Sequence, residues 1–139
     1  FSHAEVRDLL VAEGEREIAN AWQDDDTGVF CKGKADYRHD SVLIDLKTTG
    51  DGSFNGFSGS CMKYGYDRQS AFYSDGFGCN DFIFITQEKE MPYNVNIFYT
   101  SNKFISRGRS EYKDLLDTYR KFFIDNETSI DKHLEIHEL

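Results

Sequence analysis

The sequence predicts a mixed α/β (α+β) domain, and three observations carry that reading. Apolar residues recur at helical spacing near both ends and again around Tyr66 to Tyr73. Val42 to Leu46 is a run of branched and large apolar residues without helical period, and two later segments alternate as strands do. Twelve Phe, eight Tyr and one Trp supply a core for 139 residues, while a single Pro and the lack of repeats or low-complexity tracts argue against a linker.

Taken in order, residues 3–22 are predicted as one helix, with Val6, Leu9, Leu10, Ile18 and Trp22 at spacings near three and four. Gly14 would bend it, and Glu13, Glu15 and Glu17 crowd its second half as a solvated face, with Glu17 at the rim of the core. Asp24 to Gly28 is a turn, because three adjacent carboxylates point in different directions and Thr-Gly is loop chemistry. Val29 to Arg38 alternates in part. His39-Asp40-Ser41 then turns the chain into Val42-Leu-Ile-Asp-Leu-Lys-Thr-Thr-Gly50, so the two segments form a hairpin. Thr48 to Lys63, rich in Gly, Ser and Thr, is expected to be a long mobile connection able to cover a substrate.

From Tyr64 to Tyr73 the period becomes helical and puts Tyr66, Gln69 and Tyr73 on one face. Such an aromatic stripe is either core or site, and Gln69 between the tyrosines makes a purely apolar face the poorer reading. Asp81 to Thr86 and Asn94 to Tyr99 are expected strands. A closing helix over residues 110–126 offers Tyr112, Leu115, Leu116, Tyr119, Phe122 and Phe123 as an apolar stripe read as core. Arg107-Gly-Arg109 ahead of it either holds a phosphate or is a solvated helix start. His133 and His137 lie four apart in an acidic tail, a metal pair without a third ligand nearby.

The chemistry concentrates on the central strand. Asp45 and Lys47 project from one face, roughly 7 Å apart along the chain. A carboxylate and an ammonium in an apolar strand are costly to desolvate unless they hold each other, a metal or a substrate; the plainer alternative is a half-exposed ion pair on an edge strand. The hairpin carries Asp36 to the neighbourhood of Asp45, since cross-strand side chains lie about 5 Å apart. Two carboxylates that close repel unless a cation bridges them, which points to a metal.

A net charge of −9 and an isoelectric point of 4.8 mean that the surface as a whole repels nucleic acid and anionic membrane, so any contact with DNA has to be local. Carboxylates gathered for a cation contribute to that total. Cys31, Cys61 and Cys79 are odd in number and far apart, without a Cys-x-x-Cys pair, and so suggest neither a disulfide framework nor a zinc or iron–sulfur site. No apolar run is long enough to cross a membrane and no signal peptide is seen, so a reducing cytosol is the expected location. Residues 1–139 are expected to be a single domain that, starting at Phe1 rather than Met, lacks upstream residues.

Cys31-Lys-Gly-Lys-Ala-Asp-Tyr37, then Leu43-Ile-Asp-Leu-Lys-Thr-Thr49, then Gly65-Tyr-Asp-Arg-Gln-Ser-Ala-Phe-Tyr73 together resemble the PD-(D/E)xK nuclease superfamily, and within it the exonuclease VIII or RecE-like (RecB-like) branch of phages and prophages. Upstream, Glu17 with Trp22, Asp24, Thr27 and Gly28 fits that branch's acidic residue, Trp and turn. The resemblance implies a restriction-endonuclease-like core, a central mixed β-sheet flanked by helices, with Mg2+ or Mn2+ at the carboxylates. It implies Asp36, Asp45 and Glu17 as metal ligands, Lys47 as the residue that orients or activates the attacking water, Gln69 and Tyr73 as the element that supports the site and contacts DNA, and Tyr66 as a helper. Relatives also carry a His upstream; His3, on the helix expected to hold Glu17, is too near it to serve. The cysteines of cluster-bearing relatives are absent.

Mg2+ prefers oxygen ligands and keeps waters, so the Leu46 carbonyl would complete a set with Asp36 and Asp45. Lys32, Lys34, Lys63 and Arg68 are near enough in sequence to grip a phosphate backbone. The expected function is a metal-dependent DNA exonuclease acting on duplex ends in phage-type recombination or repair, with DNA as substrate, a single-strand annealing protein as a partner, and homo-oligomers as in ring-forming relatives. The rivals are a non-cleaving nuclease-fold module that binds DNA or a partner, and an endonuclease or single-strand nuclease of the same superfamily.

Overall fold

The structure is a computed structural model and describes residues 2–125 and 137. Five strands make one mixed sheet in the order β1 (Glu15–Gln23), β2 (Phe30–His39), β3 (Val42–Thr49), β4 (Asp81–Glu88), β5 (Val95–Tyr99). Neighbours are antiparallel except β3 and β4, which run parallel. A parallel pair needs a crossover, and α2 (Phe54–Tyr64) with α3 (Tyr66–Phe77) supplies it over one face of the sheet. The other face is covered by α1 (His3–Val11), and α4 (Asn102–Tyr119) packs on α3 before ending in a single π-helical turn over Arg120–Ile124. The expected sheet flanked by helices is therefore present. Among the described residues, no helix is long and apolar enough to cross a membrane.

The alternation of β3 and β4 divides the core in two. Leu43, Phe82 and Phe84 face α2 and α3 with Phe57, Cys61 and Phe77, whereas Val42, Ile44, Ile83 and Ile85 face α1 with Val6 and Tyr37. Both faces are apolar because β3 and β4 lie in the sheet's interior, as parallel strands generally do.

Four expectations are corrected. The helix predicted over residues 3–22 stops at Val11, and residues 15–23 form β1. Ile18 and Trp22 are four apart, a spacing that suits one face of a helix and equally one face of a strand, since four is even. Here Ile18, Asn20 and Trp22 look towards α3, and the Asn20 amide donates to Gly76 O at 2.8 Å. The Tyr37 hydroxyl lies 2.9 Å from both Leu9 O and Ala12 O, so β2 satisfies carbonyls at the helix end that local sequence leaves open.

The second correction concerns the stretch expected to be a mobile cover. Residues 54–64 are α2, capped by Ser53, whose hydroxyl accepts from Gly56 N at 3.1 Å, and anchored by buried Phe57 and Cys61 one turn apart. Its small residues hide a helix whose stability comes from packing rather than propensity. Gly65, at φ +67, closes α2 in the left-handed conformation and opens α3 in one step.

Third, the closing helix begins at Asn102, so Arg107 and Arg109 sit inside it and bind carboxylates of α3 instead of a phosphate or solvent. Arg107 Nε donates to buried Asp67 at 2.7 Å, and Arg109 meets Asp75 at 2.8 and 2.7 Å. Gly108 between them is a contact point, because a Cβ there would fall 2.0 Å from Asp67 O. Fourth, of the stripe read as core, Tyr112 is buried while Leu115, Tyr119 and Phe123 are exposed. His133 lies outside the described residues.

The clamp between the helices is pH-dependent. Asp75 accepts from Arg109 and, at 2.5 Å, from the Tyr112 hydroxyl. Burial pushes its carboxyl up, but the Arg109 and Tyr112 hydrogen bonds outweigh that and hold it below the ordinary carboxylate range. A depressed acid contributes stability that is full above its unfolded value and fades as pH falls through the folded one. Asp75→Asn should therefore cost about 1 kcal/mol near neutral pH, allowing for solvent screening of a partly exposed pair, with the penalty fading as the pH falls from the ordinary carboxylate value through the lower folded one. Urea unfolding of both proteins across that range measures it; a penalty independent of pH would contradict the assignment.

Candidate active site

The register of three strands brings three acids into one row. β2 and β3 pair at Tyr37↔Ile44, Arg38↔Leu43 and His39↔Val42, and the next rung would set Asp36 opposite Asp45. On the other side, the pairs Arg16↔Tyr37 and Ile18↔Ala35 flank Glu17 and Asp36. Regular pairing fails along this row. Asp36 Oδ2 accepts the Leu46 N–H at 2.8 Å, a side chain doing what a main-chain carbonyl does elsewhere in a ladder. Ala35 belongs to the core under α2 and α3 while Tyr37 belongs to that under α1, so the side-chain alternation of β2 also slips at Asp36. Glu17 is at φ +52, a left-handed conformation uncommon for a residue with a Cβ. Beyond the row β2 stays with β1 and β3 stays with β4, so the sheet opens at the acids.

Asp45 is buried and points towards α3, as the strand's alternation requires. Its Oδ1 accepts from Gln69 Nε2 at 3.0 Å, and Gln69 Oε1 accepts from Lys47 Nζ at 3.1 Å. One amide thus serves the acid and the amine at once. Lys47 Nζ also lies 2.9 Å from Asp45 Oδ2 and 4.5 Å from the centre of the Tyr66 ring, whose face favours a cation. The approach to Oδ2 is that of an ion pair and not of a hydrogen bond, so this buried oxygen accepts none. Burial first, and the charge of Asp36 in addition, push the Asp45 carboxyl above its ordinary range; Lys47 and Gln69 oppose them without cancelling them.

The structure brings Asp36, Asp45, Leu46, Lys47, Gln69 and Tyr66 together. Asp36 lies against the peptide joining Asp45 to Leu46, so the two acids are separated by little more than that peptide. Leu46 is exposed and lines, with Glu17, Asp36 and Ile44, an open cavity of about 520 Å³ on the α1 side. Glu17 is on β1 and not on a helix with His3, and its side chain, 73% exposed, pairs with Lys34 at 2.6 Å instead of turning to the other acids. Among the described residues, no three His, Cys, Asp or Glu side chains converge as a ready metal cluster.

The remaining sequence-predicted residues spread around this centre. Tyr73 stands one turn beyond Gln69 with its ring against Gly33 of β2 and Phe77. Lys32 and Lys34 flank Gly33 in a shallow groove on the hairpin that Ala19 and Ala21 keep low. Lys63 lies 5.2 Å from the Tyr64 ring, and Arg68 turns to Glu111 of α4 at 3.5 Å. Sequence reading passed over Thr86, which pairs in register with Lys47 and has a buried hydroxyl without a hydrogen bond. Only the alignment of β3 with β4 reveals it.

Residues 2–131 match the family described as "PDDEXK-like domain of unknown function (DUF3799)". The chain belongs to this family of PDDEXK-like domains. No functionally curated protein matches it in sequence. Two solved structures share the PDDEXK-like fold seen here. One, from Eubacterium rectale and provisionally named an exonuclease, has a TM-score of 0.69 at 13% identity over 99% of this chain and 57% of its own. The other, a phage-related exonuclease from Haemophilus somnus 129PT, has a TM-score of 0.55 at 13% identity over 89% of this chain and 68% of its own. The chain thus spans little more than half the length of the first.

The donor set of this PDDEXK-like domain fits a hard divalent cation. Asp45 carries a buried oxygen without a hydrogen bond, Asp36 adds a second carboxylate one peptide away, and Leu46, whose N–H Asp36 holds, brings a main-chain carbonyl to the same stretch. Without an ion, Lys47 is the counter-charge that makes the buried acid tolerable. Because the folded protein favours the neutral form of Asp45 relative to the unfolded chain, an isosteric neutral residue should relieve the fold. Asp45→Asn is expected to raise the metal-free Tm by about 3 °C, corresponding to about 1 kcal/mol for a domain of this size. Mn2+ should raise the Tm of the unaltered protein and leave the variant unmoved. Differential scanning fluorimetry with and without Mn2+ reads both effects, and a variant that melts lower and still responds to Mn2+ would refute them.

Proposed function

We propose that this chain is a metal-dependent nuclease that hydrolyses phosphodiester bonds of DNA from duplex ends. The observation that carries the reading is the Asp45–Lys47–Gln69 cluster, with Asp36 bonded to the peptide next to it. Mg2+ or Mn2+ would be held by Asp36, Asp45 and the Leu46 carbonyl, and Glu17 could join only by leaving Lys34. When bound, such an ion neutralises charge on the phosphate and lowers the pKa of a bound water.

The chain's own residues do the rest. Gln69 fixes both Asp45 and Lys47, so neither can turn without breaking a hydrogen bond. Lys47, with its ammonium held against Tyr66, orients or activates the attacking water and donates to the developing charge. Lys32 and Lys34 lie along the hairpin groove, where small neighbours would let a backbone approach, so the contact is local on a chain of net charge −9. Tyr73, whose ring lies against Gly33 of β2, supports the site from α3 and contacts the DNA strand in this reading. Lys63 and Arg68 are further phosphate contacts of this reading, Arg68 at the cost of its pair with Glu111. The exonuclease names of the two structural neighbours support action from ends; the setting of recombination or repair rests on the resemblance of the sequence motifs alone.

One observation favours a second reading, a nuclease-fold module that binds DNA or a partner without cutting: no ready cluster of three ligands is assembled among the described residues. The experiment that decides is nucleotide release from linear duplex DNA with Mg2+. The unaltered protein should degrade linear and spare circular duplex, while Asp45→Ala and Lys47→Ala should each lower the rate about 100-fold or more. Equal release by all three proteins rejects the catalytic assignment, and degradation of circular DNA replaces an exonuclease by an endonuclease. Mn2+ binding that Asp36→Ala and Asp45→Ala leave intact would favour the non-cleaving module.

A further inference from the structure

Lys47 has a buried neighbour that the cleavage reading leaves idle. Alternate side chains of a strand share a face, and Phe82 and Phe84 of β4 pack under α2 and α3, so Thr86 points the same way as Asp45 and Lys47. The parallel register sets Phe84 beside Asp45 and Thr86 beside Lys47, on strands about 4.8 Å apart. Next to the acid β4 is apolar, and next to the amine it carries a hydroxyl. Thr86 is fully buried, and that hydroxyl makes no hydrogen bond.

An orphan of this kind is uncommon and costly. Nearly all buried polar groups are paired, and valine would fill the same place with the shape of threonine and without its unpaired oxygen. Asn96 of β5 shares the rung from the other side, but its amide lies by Gly52 and leaves the hydroxyl alone. The Lys47 ammonium, in contrast, has donors to spare. It carries three N–H groups, and among the described residues only its contact with Gln69 Oε1 is a hydrogen bond, the 2.9 Å approach to Asp45 Oδ2 being an ion pair. A cation held by Asp45 would repel the ammonium from that oxygen, since like charges so close do not share a carboxylate. The displaced amine then needs a neutral acceptor out of water, and Thr86 stands in register with it.

We propose that Thr86 is a positioning residue for Lys47: its hydroxyl accepts a hydrogen bond from the ammonium once a divalent cation occupies Asp45, and keeps the amine at the site opposite Gln69. The proposal rests on the metal-dependent reading above and adds to it a second resting place for the amine. The ion-free protein leaves the hydroxyl unpaired, and the ion-bound protein satisfies it, so the difference between the two states favours ion binding.

Two variants separate the hydroxyl from the shape of the residue. Thr86→Val removes the oxygen, and Thr86→Ser keeps it. Without metal, the valine variant should melt about 3 °C above the unaltered protein in differential scanning fluorimetry, because it loses an unpaired polar group and no bond. Isothermal titration calorimetry with Mn2+ and no DNA should show about tenfold weaker binding by the valine variant, the worth of one hydrogen bond to a charged group, and binding by the serine variant within about twofold of the unaltered protein. On linear duplex DNA with Mg2+, the valine variant should lose about tenfold in kcat with KM unchanged, and the serine variant should keep most of the rate. A valine variant that melts lower without metal overturns the proposal, since the hydroxyl then has a partner in the ion-free fold. Equal Mn2+ affinity in all three proteins overturns it, as does an unaltered protein that binds no Mn2+. A loss confined to KM does the same, by making Thr86 a support of DNA binding. Failure of the nuclease reading is a different result: the Mn2+ affinities differ as expected and none of the proteins releases nucleotides.

Discussion

The burial of Asp45 beside Lys47 under a single bridging amide is the interaction on which the rest of the arrangement depends. An ionised carboxylate on an interior strand has to be compensated, and here the compensation comes from an amine two residues along the same strand and from Gln69 across the crossover. The compensation is incomplete, since one oxygen of Asp45 accepts no hydrogen bond and its carboxyl is pushed above the ordinary range. A fold selected for stability alone would place an apolar residue here, as it does at Leu43 on the same face. The residual electrostatic deficit is what suits the position to the cation proposed for it.

The irregular backbone around the acids has the same origin. Two strands cannot stay paired through a rung that would bring two carboxylates face to face, and the sheet relieves the conflict by letting Asp36 bond the Leu46 N–H and by letting β2 slip in alternation. The strain reaches β1, where Glu17 takes a left-handed conformation opposite Asp36. At this row Leu46 is exposed and the cavity on the α1 side reaches Glu17 and Asp36, whereas Asp45 stays buried towards α3.

What was legible in the sequence was what depends on neighbours along the chain. The hairpin, the apolar β3 and the face of α3 bearing Tyr66, Gln69 and Tyr73 each follow from a period and a turn, and the register that sets Asp36 against Asp45 follows from the length of the hairpin turn. The misreadings lie where one pattern satisfies two periods or where packing overrides propensity. Ile18 and Trp22 suit helix and strand alike, and α2 is built from residues typical of loops but held by Phe57 and Cys61 in the core. For Arg107 and Arg109 the sequence left phosphate and solvent equally open, because their partners, Asp67 and Asp75, stand on another helix. The side chain of Glu17 could not be placed either, because its choice between Lys34 and Asp36 is a tertiary one.

Those arginines connect the periphery to the centre. On α3 the residues of the site and the residues of the clamp lie on opposite faces, Tyr66 and Gln69 towards the sheet and Asp67 and Asp75 towards α4. A helix reaching into an electrostatically strained site would drift if only one face were held, and its Gln69 amide can bridge acid and amine only within a few tenths of an ångström. Gly108 lets α4 approach to backbone contact, and the two ion pairs fix α3 in rotation as well as in depth. The precision needed at Gln69 is thereby supplied from outside the site, by a helix that carries none of the residues proposed for the chemistry.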